Sequence, residues 1–361
     1  MKHPLLEQLR QGPVLCDGAM GTLLYARGIT YEQCFDALNL TQPEIIQGIY
    51  REYISAGAQI IETNTFGANR AKLEAYNLSD KVREINASAV RLAREAREIS
   101  GLPIFIAGAV GPSGRPLQAP DEHRLSELRA IFREQIGALQ ESGADLVILE
   151  TFSNLAELRQ AVLAAKEIGG LPIVAQMSFY EDGHTLSGQS ATRVAAVLND
   201  LGVDVIGANC SVGPAATLDV LNEMITAVQQ QGEAPGTMLF SAQPNAGLPA
   251  RIGNRFFYVS TPDYFADYAL RFVQAGVHLI GGCCGTTPRH IAAMRKALDE
   301  RYGTHTPLTT SKAQKHQGQE PVTSKPTMIK LIEEEVILPQ QGSKTRLQEK
   351  LAAGEFVVSV E

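Results

Sequence analysis

Residues 275–284 read AGVHLIGGCC: a glycine, an apolar run and two adjacent cysteines, in an arrangement that recurs along the chain. The same glycine-then-strand pattern stands at 56–65 (AGAQIIETNT), 142–151 (SGADLVILET) and 201–210 (LGVDVIGANC). In each case a helical pattern ends at a glycine, Gly57, Gly143, Gly202 or Gly276, which suits the left-handed residue that commonly closes a helix. A short β-branched or aliphatic run follows. Counting eight residues on from each glycine reaches Thr65, Thr151, Cys210 and Cys284, so these positions are expected at a common depth in the fold.

Further apolar runs begin at Val14 (VLCDGAM), Pro103 (PIFIAGAV), Pro172 (PIVAQMSF) and Met238 (MLFSAQPN), which brings the strands to eight. Between them, 43–56, 81–99, 125–141, 155–168 and 264–274 carry apolar residues at helical spacing. Continuous apolar strands joined by helices imply a parallel sheet covered on its outer face. Eight such units predict an α/β fold, a closed (β/α)8 TIM barrel, with an open doubly wound sheet as the alternative. In such a barrel strands two, four, six and eight share inward-facing layers, and the active site lies at the carboxyl ends of the strands. Cys210 and Cys284 are therefore expected to meet at that end.

The 361 residues are 44% hydrophobic and 20% charged, a composition that buries a sizeable core and excludes a disordered or fibrous chain. A net charge of -7 gives no electrostatic reason to bind nucleic acid or an anionic membrane surface. The N-terminal MKHPLLEQLRQG is amphipathic and lacks a signal-peptide core, and no apolar run reaches membrane-spanning length, so a cytoplasmic location is expected. Beyond about Tyr302 the sequence turns polar, with Pro, Thr, Lys and Gln and no periodic apolar face. The expected organisation is a barrel over 1–302, a linker over 303–342, and the beginning of a truncated second domain over 343–361.

Five cysteines, Cys16, Cys34, Cys210, Cys283 and Cys284, are too few for a disulfide framework. Cys16 and Cys34 read as inert core residues. The other three suit zinc, which prefers thiolate, is usually four-coordinate and keeps one position open when catalytic. Gly281, Gly282 and Gly285 would let the eighth strand bend so that two adjacent cysteines reach one ion. The competing reading takes GGCCG as a phosphate-binding loop, because Thr286 or Thr287 followed by Pro288 predicts a helix start there. Such a loop uses backbone groups and has no use for two thiols.

GGCCGTTPRHI from Gly281, GANCSVGP from Gly207, DGAMGT from Asp17, IETNTF from Ile61 and QPNAGLP from Gln243 together resemble the homocysteine-binding domain of the homocysteine S-methyltransferase family. The resemblance spans roughly the first 300 residues. It extends both to stand-alone methyltransferases and to the homocysteine module of cobalamin-dependent methionine synthases. LQEKLAAGEFVVSVE near the end resembles the opening of a methylenetetrahydrofolate reductase domain, as in bifunctional proteins that join it to the methyltransferase. The resemblance implies Zn2+ on Cys210, Cys283 and Cys284, and transfer of a methyl group to the thiol of L-homocysteine to form methionine. It also implies that Asp17, Gly18 and Glu150 bind the amino and carboxylate groups of the substrate.

Glu62 and Thr63 are further candidates at the barrel mouth, and Asn209 is placed to orient a ligand or to hydrogen-bond backbone. Asp17 reads alternatively as a turn or cap residue, and Glu150 as a polar layer residue. His184, in a polar glycine-containing loop, reads as an ordinary loop histidine rather than a fourth ligand. S-methylmethionine, S-adenosylmethionine, methylfolate or methylcobalamin would each serve as donor, with a fused or separate folate reductase domain as a partner. A non-catalytic homocysteine- or zinc-binding module, and a barrel lyase or aldolase acting on a phosphorylated substrate, are the alternative functions.

Overall fold

The structure, a computed structural model, describes residues 3–303 except 118–120, 233–235, 249 and 253–254. Ten strands are β1 (Val14–Leu15), β2 (Ile60–Glu62), β3 (Phe105–Val110), β4 (Leu146–Phe152), β5 (Ile173–Met177), β6 (Val205–Asn209), β7 (Leu239–Gln243), β8 (Ala250–Ile252), β9 (Arg255–Phe257) and β10 (Leu279–Ile280). Helices α1 (Pro4–Gln11), α2 (Gly21–Ala26), α3 (Leu38–Thr41), α4 (Pro43–Ser55), α5 (Arg70–Leu73) and α6 (Val82–Ser100) come from the first part of the chain. Helices α7 (Glu122–Glu141), α8 (Leu155–Ile168), α9 (Ala191–Asp200), α10 (Pro214–Gln230), α11 (Pro262–Ala275) and α12 (Pro288–Tyr302) complete it.

Eight strands form one parallel sheet in the order β1, β10, β7, β6, β5, β4, β3, β2. A parallel bridge between Cys16 and Ile60, with the Gln59 amide donating to the Leu15 carbonyl at 2.7 Å, joins the two ends of that order and closes the barrel. The expected (β/α)8 barrel is what the chain adopts. β8 and β9 form an antiparallel hairpin inserted between β7 and α11. No helix among the described residues is long and apolar enough to cross a membrane. The expected linker beyond Gly303 and the second domain over 343–361 lie outside the described residues.

All four rhythm-setting glycines have positive φ: Gly57 at 99°, Gly143 at 92°, Gly202 at 60° and Gly276 at 97°. Each ends a helix and turns the chain into a strand, as the repeat predicts. The strands then bury two separate apolar sets. Outward residues such as Ile61, Val147, Ile206 and Ile280 pack against the helices, while Val14, Ile60, Leu146, Val174, Val205, Leu239 and Leu279 fill the interior. The amphipathic α1 packs Leu5 and Leu9 onto that interior set, both fully buried. Higher in the barrel the inward positions turn polar, with Glu62, Glu150, Gln176, Asn209 and Gln243, and this change marks the functional end.

One expectation needs correction. Cys283 and Cys284 do not lie on a bent eighth strand, because β10 ends at Ile280 and both cysteines sit in the loop that follows. The glycines of that loop permit close approach rather than a kink. A side chain at Gly281 would stand 2.8 Å from the Asp17 carbonyl oxygen, and one at Gly282 2.5 Å from Thr286 Oγ1.

Because α1 plugs the interior with Leu5 and Leu9, truncating Leu9→Ala leaves a cavity that surrounding strands cannot fill. The expected loss is about 2–5 kcal/mol in urea unfolding, and an unchanged midpoint would show that α1 does not pack there.

Candidate metal and substrate site

Three loops bring the cysteines together. The amide of Cys210 donates to the Gln243 carbonyl at 3.0 Å, and Cys210 itself takes φ 60°, an uncommon conformation that turns the chain away from β6. The amide of Cys283 donates to the Pro244 carbonyl at 2.8 Å, and the Cys284 carbonyl accepts from the Ala246 amide at 2.8 Å. The residues after β7 thus clamp both neighbouring cysteines by their backbone. Thr286 fixes the loop from below, donating its hydroxyl to the Cys283 carbonyl at 2.6 Å and accepting from the Ala19 amide at 3.1 Å.

The sulfurs of Cys210, Cys283 and Cys284 lie within 4.8 Å of one another, and Cys210 and Cys284 are 4.0 Å apart. In a tetrahedral zinc site with Zn–S near 2.3 Å, two sulfurs stand about 3.8 Å apart. The donor set therefore fits a thiophilic ion with little rearrangement. Hydrogen bonds from Cys210 and Cys283 hold the Cys284 thiol down to about 3, while the bonds it makes with Cys210 and Cys284, together with burial, push Cys283 well up. The three sulfurs share protons around one thiolate, and a dication would displace the rest. Asn245, in the loop that clamps Cys283 and Cys284, has a buried Oδ1 that accepts no hydrogen bond among the described residues.

Asp17, Glu62 and Glu150 line the same cavity, of about 960 Å³, as the three cysteines. Asp17 Oδ2 accepts from the Glu62 amide at 2.9 Å. Burial raises all three carboxyl groups, with the charge of Glu62 the next cause for both Asp17 and Glu150. Gly18 has no room for a side chain, since one would stand 2.6 Å from Thr286 Oγ1. Asn209 donates to Thr151 Oγ1 at 2.9 Å and accepts from the Thr151 amide at 2.8 Å, and its Nδ2 is 3.9 Å from Cys283 Sγ. It ties the ends of β4 and β6 to the sulfur cluster.

The other residues singled out in the sequence take varied places. Thr63 borders the cavity, yet its hydroxyl is engaged by Thr65 at 2.6 Å and by the Ala109 amide at 3.1 Å. His184 bonds within its own loop to Asp182 and does not border this cavity. Cys34 is not a core residue: it is half-buried and borders the cavity. Cys16 is fully buried as expected, but its neighbours are carboxyl groups: Sγ lies 3.6 Å from Asp17 Oδ1 and 3.5 Å from Glu62 Oε1. Asn245 carries no signal of its own in the sequence beyond its place in QPNAGLP, and Thr286 reads there only as a candidate helix cap, a place that Thr287 takes.

The mouth of this closed barrel, which gathers three cysteines beside three carboxyl groups, is a thiol-rich, acidic candidate active site. The family profile described as homocysteine S-methyltransferase matches residues 14–298. The chain belongs to that family. It is 32% identical over 309 residues to a methionine synthase of Mycobacterium tuberculosis, covering 81% of this chain and 25% of that protein. A methionine synthase of Mycobacterium leprae is 33% identical over 333 residues, covering 85% and 27%. The chain thus spans about a quarter of the length of these relatives. The metallated form of the Escherichia coli homocysteine methyltransferase MmuM superposes with a TM-score of 0.64 at 29% identity, covering 81% of this chain and 98% of that one. Its oxidized form gives 0.64 at 28%, covering 79% and 95%.

The loop geometry predicts that Thr286→Val, which keeps the volume and removes both hydroxyl bonds, weakens metal retention against a competing chelator about 10–100-fold. Unchanged retention would mean that the Thr286 hydroxyl does not hold the cysteine loop.

Proposed function

We propose that the chain transfers a methyl group to the thiol of L-homocysteine, forming methionine, with zinc held by Cys210, Cys283 and Cys284. The observation that carries this reading is the convergence of those three sulfurs within 4.8 Å at the mouth of a barrel of this family. Bound zinc lowers the pKa of a coordinated thiol, which supplies a thiolate at neutral pH, where a free thiol near 8.5 is mostly protonated.

The protein's own groups bind and orient. Asp17, Glu62 and Glu150 form an acidic cup that recognises the substrate ammonium, and backbone N–H groups near Gly18 take its carboxylate. Asn209 keeps Cys283 in place through its amide. Burial of the cup excludes water, so the ammonium is held by charge in a medium of low polarity. The methyl group passes in line: a carbon–sulfur bond to homocysteine forms as the bond to the donor breaks, and the donor leaves with the electron pair. The cavity of about 960 Å³ leaves room for the donor to approach over the sulfur cluster.

Zinc analysis of the purified chain and of Cys210→Ala, Cys283→Ala and Cys284→Ala variants tests the assignment. About one zinc per chain, lost in each variant together with homocysteine-dependent methionine formation, is the expected result. The donor is identified in the same assay by supplying S-methylmethionine, S-adenosylmethionine, methylfolate and methylcobalamin separately. Full zinc content in all three variants would sink the reading.

A further inference from the structure

We infer that Cys16 is a positioning residue for substrate recognition: its buried thiol, shared between Asp17 and Glu62, holds the two carboxyl groups in the arrangement that receives the substrate ammonium. The inference rests on the proposed binding of that ammonium by the acidic cup. Asp17 and Glu62 stand side by side, and two buried carboxylates at such range repel. A donor between them relieves that repulsion. Cys16 Sγ lies 3.6 Å from one and 3.5 Å from the other, so it bridges them.

The thiol is suited to remain a donor. It is fully buried, and burial, followed by the charges of Glu62 and Asp17, raises it well above the ordinary range, so it keeps its proton. It is also fixed in place. A side chain at Gly281 would meet Cys16 Cβ at 2.9 Å, and Cys16 pairs with β10 and β2 through its amide, donated to Ile280 at 2.7 Å, and its bridge to Ile60.

The remaining bonds show what this arrangement leaves available. Asp17 Oδ2 is taken by the Glu62 amide at 2.9 Å, and Glu62 Oε1 also accepts from Gln243, which is itself anchored by Gln176 at 2.7 Å. Glu62 Oε2 is buried and accepts from no donor among the described residues, with the Glu150 carboxyl within hydrogen-bond reach of the same group. An unpaired buried carboxylate oxygen costs desolvation free energy unless a donor or cation fills it. An ammonium does both. Cys16, by holding Oε1 of the same carboxyl group together with Gln243, leaves Oε2 as the atom to be filled.

The test compares two substrates within each enzyme preparation: homocysteine and 4-mercaptobutanoate, which has the same thiol and carboxylate without the amine. Their ratio of kcat/KM does not depend on the fraction of protein that is folded or zinc-loaded. Cys16→Ala and Cys16→Val are expected to lower the preference for homocysteine about tenfold, through KM rather than kcat, with zinc content unchanged. Cys16→Ser, which keeps a donor, is expected to stay within about threefold of the unaltered protein. Unchanged preference in the Ala and Val variants overturns the inference, as does a Ser variant that falls as far as Ala. Asp17→Asn and Glu150→Gln separate the two levels: if they also leave the preference unchanged, the acidic cup is not the ammonium site and both readings fall. If they lower it while Cys16→Ala does not, only the role of Cys16 falls.

Discussion

Strand β1, as short as its neighbour β10, is the part of the barrel on which the site depends. Val14 and Leu15 pair with Leu279 and Ile280 of β10 on one side, and on the other the Cys16–Ile60 bridge, the bond from the Gln59 amide and the bond from the Leu15 amide to Gln59 Oε1 join this edge to β2. The residues that follow in sequence, Asp17 and Gly18, are placed by this seam. The Asp17 carbonyl accepts from the Gly282 amide at 3.0 Å, which ties the carboxyl cup to the cysteine loop. Closure of the barrel and assembly of the site are one event, because the same few hydrogen bonds make both.

The electrostatics of the mouth follow from that crowding. Three carboxyl groups and three thiols share a buried space, and such groups are tolerated only when protonated or matched by cations. The upward displacement of Asp17, Glu62, Glu150 and Cys283 expresses the first solution. The proposed ion on the sulfurs and ammonium on the carboxyl groups would supply the second.

Much of this was legible in the chain. Gly57, Gly143, Gly202 and Gly276 gave the helix-to-strand rhythm, and the rule built on them placed Cys210 and Cys284 at a common depth, where they stand 4.0 Å apart. Periodicity encodes such features because each repeats the same local physics. Thr286 is different: it reaches Ala19 across 267 positions through a single hydrogen bond, which leaves no local pattern. The course of Cys283 and Cys284 departs from the sequence expectation for a related reason. Glycines in a strand-like run suggest a bulge, and only the nearness of Asp17 and Thr286 shows that Gly281 and Gly282 are small because backbone from elsewhere presses on them. Cys16 reads as inert core in the sequence, which cannot show that Glu62, from the neighbouring strand, meets its thiol.

The central claim is that Cys210, Cys283 and Cys284 hold one zinc ion with a position left for the thiol of homocysteine. X-ray absorption at the zinc edge tests it most directly, because it counts sulfur neighbours. The account predicts about three sulfurs near 2.3 Å and one lighter atom in the protein alone, and about four sulfurs once homocysteine is added. A first shell with fewer than three sulfurs, or one that homocysteine leaves unchanged, would contradict it.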